Sequence, residues 1–215
     1  MSADTAATVF VVDDDPSIRR ALTRLLRSVG LAVAAYAGAQ EFLDAYDPAR
    51  PGCLVLDVRM PHISGLELQQ ALAQRAVELP IIFITGHGDV PMSVRAMRAG
   101  AIDFLPKPFH DQDLLDAIQR AIARDAELRA ARAVRVDVLR RVELLTPRER
   151  EVLVLVTAGK MNKEIAAQLG ASEKTIKVHR ARVMKKMGAE SVAEVVVLAQ
   201  TAGVCATGIQ RSRDK

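Results

Sequence analysis

Cys53-Leu54-Val55-Leu56-Asp57-Val58-Arg59-Met60-Pro61 is the stretch that decides the fold. An all-apolar run of this length that ends in a carboxylate and a Pro turn suits a strand buried on both faces, as in a parallel sheet. Asp57 sits where the strand emerges, and ligands bind at that C-terminal edge in open α/β sheets. A carboxylate there can act as a nucleophile or hold a metal. A lone Asp after a strand can equally be a helix cap, so its neighbours have to decide.

Upstream, Thr8 to Val12 is a second buried-strand pattern, and it ends in Asp13, Asp14 and Asp15. Asp15-Pro16 fits an N-cap with Pro at the first helical position. Ile18, Ala21, Leu22, Leu25, Leu26 and Val29 then line one helical face before Gly30. A short apolar run, 31–36, precedes a helix around 39–46. Downstream, Ser64-Gly65 opens a helix expected to end near Glu78. Strand 81–85 follows, then a helix near 90–99 capped by Asp89, then strand 102–105, Lys107-Pro108-Phe109 and a last helix from about Asp111. Five strands alternating with five helices predict a doubly wound, five-stranded parallel sheet. No Gly-x-Gly-x-x-Gly or Gly-Lys-Ser/Thr loop is present, which disfavours the usual nucleotide folds.

A parallel sheet gathers its strand C-termini on one edge. That edge would carry Asp13 and Asp14, Asp57, Thr85 and Lys107. Crowded carboxylates raise one another's pKa, and an all-oxygen donor set of that charge suits a hard cation such as Mg²⁺. Shielded in this way, Asp57 could attack a phosphoryl group. Thr85 could donate a hydrogen bond to the phosphoryl oxygens, and Lys107 could pair with them as a point charge. The constellation fits an aspartyl-phosphate site.

The 215 residues allow one large domain or two small ones. Half are apolar, but aromatic residues are 3% and Trp is absent, so the core must be aliphatic. No charged segment precedes an apolar one at the start, and the apolar run 195–209 is broken by Gln200, Thr201, Gly203 and Gly208. A soluble, cytoplasmic protein with no membrane partner is expected. Cys53 and Cys205 are far apart and read as small apolar side chains, and the four His show no zinc spacing. The net charge of +4 divides unevenly, into −4 over residues 1–122 and +8 over 123–215. A basic half beside an acidic half suggests that one end meets a polyanion, DNA or RNA first.

From Asp111 to about Val142 the residues favour helix, with no Gly or Pro among them. The fifth helix is expected to run on into a helical linker, either a solvated spacer or a surface for a second subunit. Thr146-Pro147-Arg148-Glu149 then reads as a capping box. Four short helices follow: one to about Ala158, one capped by Asn162 and ended by Gly170, one from Ser172 to Gly188, and one opened by Ser191 with Glu194. The three-residue turn Gly170-Ala171-Ser172 is helix-turn-helix spacing. The helix after it carries Lys174, Lys177, His179, Arg180, Arg182, Lys185 and Lys186, while Ile176, Val183 and Met187 recur at core spacing. Its basic face could meet phosphates and base edges.

Over roughly residues 8–122 the chain resembles the flavodoxin-like receiver domain of two-component response regulators. The matching elements are Val-Asp-Asp-Asp (12–15), Leu-Asp-Val-Arg-Met-Pro (56–61), Thr-Gly (85–86), Ala-Gly-Ala (99–101) and Lys-Pro-Phe (107–109). Residues 85–91 look like the FixJ-type branch. Over about 143–203 the chain resembles the LuxR-type helix-turn-helix of NarL/FixJ regulators, through Leu-Thr-Pro-Arg-Glu (145–149), Asn-Lys-Glu-Ile-Ala (162–166) and Lys-Thr-Ile-Lys-Val-His (174–179).

The resemblance implies a receiver (1–122) and a four-helix DNA-binding domain (143–203); the residues between read as a helical linker (123–142) and those after as a mobile tail (204–215). It implies Asp57 as phosphoacceptor, and Mg²⁺ held by Asp13, Asp14, Asp57 and the backbone carbonyl of Arg59. It also implies a coupled Thr85–Phe104 switch and a cis Lys107–Pro108 bond. Phe stands at 104 where many relatives have Tyr, so no phenolic hydroxyl is available there. Base contacts would come from Lys177, Val178 and Ala181, and backbone contacts from Lys163, Thr175, His179 and Arg180. Ala181 could meet a thymine methyl but cannot read a guanine. The implied partners are a sensor histidine kinase, promoter DNA, a second copy of the chain and RNA polymerase. The implied protein is a phosphorylation-switched transcription regulator and not an enzyme. Two other functions compete with it. One is a phosphatase using Asp13-x-Asp15, as in haloacid-dehalogenase-type enzymes, and the other is an architectural DNA-binding protein with a degenerate receiver.

Overall fold

The computed structural model describes residues 6–86 and 90–204. The proposed cap Asp89, His87 and Gly88 of the 85–91 motif, Cys205 and the tail proposed from 204, apart from Val204 itself, lie outside them. The chain divides into two compact units, one through Arg129 and one from Ala130.

The first unit is built from β1 (Thr8–Val12), α1 (Pro16–Ser28), β2 (Ala32–Tyr36), α2 (Ala39–Ala45), β3 (Gly52–Asp57), α3 (Gly65–Gln74), β4 (Ile81–Thr85), α4 (Val90–Arg98), β5 (Asp103–Pro106) and the first part of α5 (Asp111–Glu143). The strands are all parallel, in the order β2-β1-β3-β4-β5. The predicted doubly wound sheet is therefore the observed one.

Strand side chains alternate between two apolar layers. Phe10, Val12, Leu54, Leu56 and Phe83 face a core shared with Phe42, Leu68, Leu72 and Ala96. Val9, Val11, Cys53, Val55, Ile82 and Ile84 face one shared with Leu22, Leu26, Leu114 and Ile118. Both faces of β1, β3 and β4 are buried, which explains why those strands read as unbroken apolar runs. Burial pushes the Cys53 thiol up to about 12, as fits a small core side chain.

The caps act largely as expected. The Asp15 carboxylate accepts from Ser17 N at 2.7 Å, with Pro16 at the first helical position. Ser64 and Glu67 close a capping box at α3. Helix α3 stops at Gln74, short of Glu78, because the chain turns at Ala76 with φ +53°. Strand β5 is shifted by one residue, to 103–106.

The second unit contains α6 (Pro147–Thr157), α7 (Asn162–Leu169), α8 (Glu173–Met187) and α9 (Val192–Thr201), together with the end of α5. Val138 and Val142 of α5 join Leu153, Val183, Met187 and Val195 in one core, and Val152, Ile165 and Ile176 form a second. Asn162 is not the cap of α7 but its first residue. The Glu164 carboxylate reaches back to Met161 N at 2.7 Å, which places Glu164 at the third helical position and Met161 at the cap. At α9 Ser191 caps Glu194 N, but the Glu194 carboxylate accepts from Glu190 N instead of completing a box. Among the described residues no helix is long and apolar enough to cross a membrane.

Candidate functional site

The parallel register brings three predicted residues into direct contact. Asp13 follows β1, Asp57 ends β3, and Lys107 follows Pro106, which pairs with Thr85 at the end of β4. The Lys107 Nζ donates to Asp13 Oδ2 and Asp57 Oδ1, each at 2.7 Å. Main-chain donors take the other oxygens: Asp15 N bonds Asp13 Oδ1 at 2.8 Å, and Arg59 N bonds Asp57 Oδ2 at 2.7 Å. Asp13 is 1% exposed and Asp57 6%.

The backbone is held as firmly as the side chains. Lys107 N donates to the Thr85 carbonyl at 2.7 Å, and the Lys107–Pro108 peptide is cis. Arg19 donates to the Asp13 carbonyl at 2.6 Å. Gly65 begins α3 against β3, where an added Cβ would overlap the Asp57 carbonyl, so only Gly lets the helix start that close.

Burial pushes the Asp57 carboxyl above the usual carboxylate range; Lys107 opposes the shift and Asp13 adds to it. Burial also pulls on Lys107 in the direction of losing its proton. Its bonds to Asp13 and Asp57 outweigh that, and its pKa is raised. The site is thus a pair of buried carboxylates that share one ammonium.

Thr85 is buried at the same edge, and Phe104 is half-buried on β5 with its ring 6.3 Å from that of Phe83. Asp14 is exposed, and among the described residues no group of three His, Cys, Asp or Glu side chains is arranged to hold a metal. The donor chemistry still fits a hard cation. Two buried carboxylates touch one ammonium, and the Arg59 backbone is bonded to one of them. The Asp13-x-Asp15 phosphatase alternative loses its second acid, because the Asp15 carboxylate is committed to capping α1.

In the second unit, Gly170 turns the chain with φ +61° and Ser172 caps α8. Ile176, Val183 and Met187 are buried, as their spacing predicted. Lys163, Thr175, Lys177, Val178 and Ala181 are exposed, while His179 and Arg180 are half-buried. Among the described residues Lys163, Lys174, Lys177, Arg182 and Lys185 make no ion pair. Arg180 reaches the Lys160 carbonyl only at 3.5 Å.

Lys186 departs from the expected basic face. Its ammonium bonds Glu149 at 2.7 Å and the Leu144 carbonyl at 3.0 Å. Glu149 is 2% exposed, and Lys186 together with Thr146 N holds its carboxyl down at about 2. Sequence spacing found the capping half of Glu149's role but not its ion pair, which joins residues 37 apart.

Two structural residues gave no sequence signal. Asp125 on α5 is buried, accepts from Gly52 N at 2.8 Å and pairs with Arg129 at 2.8 Å. Arg129 also bonds the carbonyls of Ala49 and Arg50. Gln69 on α3 is the other.

Sequence models of two families match the chain: the response regulator receiver domain over residues 9–119, and the bacterial regulatory proteins of the luxR family over 143–199. Nodulation protein W of Bradyrhizobium diazoefficiens is 50% identical over 98% of this chain and 93% of its own length. The transcriptional regulatory protein FixJ of Azorhizobium caulinodans is 47% identical over 91% of this chain and 93% of its own. Among solved structures, the response regulator StyR superposes with a TM-score of 0.77 at 50% identity, covering 91% of this chain and 98% of that one. Full-length FixJ from B. japonicum gives 0.56 at 45%, covering 93% and 98%. With a receiver sheet at one end and a luxR-family helical unit at the other, the chain belongs to the two-component response regulators with a LuxR-type DNA-binding domain, and is FixJ-like among them.

Proposed function

We propose that Asp57 accepts a phosphoryl group from a sensor histidine kinase and that the phosphorylated chain dimerises to bind a promoter. The observation that carries this is the Lys107 ammonium bridging Asp13 and Asp57 at 2.7 Å, which favours the charged form of a buried carboxylate against the burial that opposes it. An Asp57 oxygen would bond to phosphorus while the donor's phosphorus–nitrogen bond breaks and the leaving imidazole takes a proton. A groove of about 530 Å³, lined by Ile18, Leu22, Leu25 and Phe109 together with the charged Arg24, Lys107 and Asp111, supports docking of such a donor. Asp13, Asp14, Asp57 and the Arg59 carbonyl would hold Mg²⁺, which supplies charge shielding at the phosphoryl oxygens.

The new group brings a charge of about −1.5 to −2. Lys107 would move its ammonium onto the phosphoryl oxygens, and Thr85 would donate its hydroxyl to them. Phe104, half-buried beside Phe83, would follow Thr85. The dimer surface would be α4, β5 and α5, and the exposed stripe Val90, Val94 and Met97 on α4 supports this. Two copies of α8 would then read two half-sites, and linking them raises affinity through effective concentration. Lys177, Val178 and Ala181 would face bases; Lys163, Thr175, His179 and Arg180 would face phosphates. We assign residues 1–122 to the receiver, 123–142 to the linker and 143–203 to DNA binding. A kinase donor and a promoter target together imply a cytoplasmic protein, and RNA polymerase is the further partner that activation at a promoter would involve.

The test is mass spectrometry after incubation with acetyl phosphate and Mg²⁺. The chain should gain one phosphoryl group, and Asp57→Asn should gain none. An unchanged mass for the unmodified chain would overturn the proposal.

A further inference from the structure

Helix α4 meets the core mainly through Ala96, with Met92 packed beside it. Of Val90–Arg98 only Ala96 is buried, and Val90 at the first position is 76% exposed. The helix packs against β5. A long-range polar hold comes from Gln69, a buried amide at 5% exposure on α3. Its Nε2 donates to the carbonyls of Ala96 and Ala99, each at 3.3 Å. Carbonyls in the last turn of a helix have no partner within the helix, so Gln69 caps α4 from a neighbouring element. The main chain supplies the other bonds at that end, with Gly100 N on the Met97 carbonyl and Ala101 N on the Ala96 carbonyl.

Gln69 stands on a fixed base. Helix α3 is closed by its capping box, buries Leu68 and Leu72, and starts at Gly65 directly against Asp57. Beside the amide lies a cavity of about 210 Å³ bounded by Leu72, Leu79, Ala99, Gly100, Ile102 and Leu128. At the other end, four residues separate Thr85 from the first residue of α4.

We propose that Gln69 is the anchor of α4, a positioning residue for the switch. It holds the C-terminal end of the helix to α3, so a change at Asp57 and Thr85 swings the N-terminal end, with Val90 and Val94, instead of freeing the whole helix. This rests on the phosphorylation reading above.

The full chain is compared with Gln69→Met, and with Gln69→Leu as a second donor-free variant. Before phosphorylation, amide exchange over residues 96–101 should quicken about tenfold in both variants, the size expected when the Ala96 and Ala99 carbonyls lose their shared donor. The rate of phosphorylation by acetyl phosphate and Mg²⁺ should stay within about twofold, because neither variant touches the chemistry. The gain in dimer association on phosphorylation, read by analytical ultracentrifugation, should fall about tenfold, since a loosened helix presents its stripe in many poses. A purely structural role would quicken exchange and leave that gain intact. Unchanged exchange, or an unchanged gain in the phosphorylated variants, overturns the anchor alone. A chain that takes up no phosphoryl group even when unmodified overturns the functional proposal and the anchor together.

Discussion

Lys186 and Lys177 lie on one helix in opposite surroundings. Lys186 is tied to the buried Glu149, whereas Lys177 is exposed and makes no ion pair among the described residues. Replacing each by Gln should therefore give complementary results. A carboxyl held at about 2 against its ordinary 4.5 corresponds to roughly 3 kcal/mol in favour of the ionised form at neutral pH, shared between Lys186 and the Thr146 hydrogen bonds. The Lys186 side chain is 33% exposed and water screens it, so about 1.5 kcal/mol is the expected loss. Lys186→Gln should weaken the second unit by that amount, read as faster native-state amide exchange at buried Val152 and Leu153 under mild urea. The slope of log affinity for DNA against log salt should hardly change. Lys177→Gln should leave exchange alone and reduce that slope by about one.

The pH dependence has a definite sign. The folded pKa of Glu149 is depressed, so its stabilisation is complete above about 4.5 and is lost as pH falls towards about 2. The stability difference between the unmodified chain and Lys186→Gln should be constant above pH 5 and should shrink through that window. A difference that persists undiminished at pH 2, or an undisturbed stability with a reduced salt slope, would refute the assignment of Lys186 as structural.

Two further outcomes are expected. Asp125→Ala should destabilise the first unit by about 3 kcal/mol in urea unfolding, because it strands the Gly52 N–H and leaves Arg129 without its carboxylate; a loss below 1 kcal/mol would show that the clasp contributes little. Thr85→Ala should still take up a phosphoryl group by mass but should not dimerise in response; full dimerisation would remove Thr85 from the switch.

Some of this protein is written in local sequence. Strand positions follow from Thr8–Val12, Cys53–Asp57 and Ile81–Thr85, because strands buried on both faces must be apolar throughout. Helix starts follow from Asp15-Pro16, Ser64 and Thr146, because a side-chain oxygen satisfies a nearby amide within three residues. The acidic cluster and Lys107 could be named from the sequence because a parallel sheet must gather its strand ends on one edge, and the structure brings Asp13, Asp57 and Lys107 into contact there. Helix ends were less legible: α3 stops early at Gln74, ahead of a turn at Ala76 whose positive φ carries no residue signature.

What only the tertiary structure decided are the pairings between residues far apart in the chain: Lys186 with Glu149, Asp125 with Gly52, and Gln69 with the end of α4. A Lys on a basic helix, an Asp in a charged linker and a Gln in a helix have ordinary solvated roles until folding buries them or, for Lys186, sets them against a buried partner. Burial then makes an unmet donor or acceptor costly, and that cost gives each of these three a specific partner.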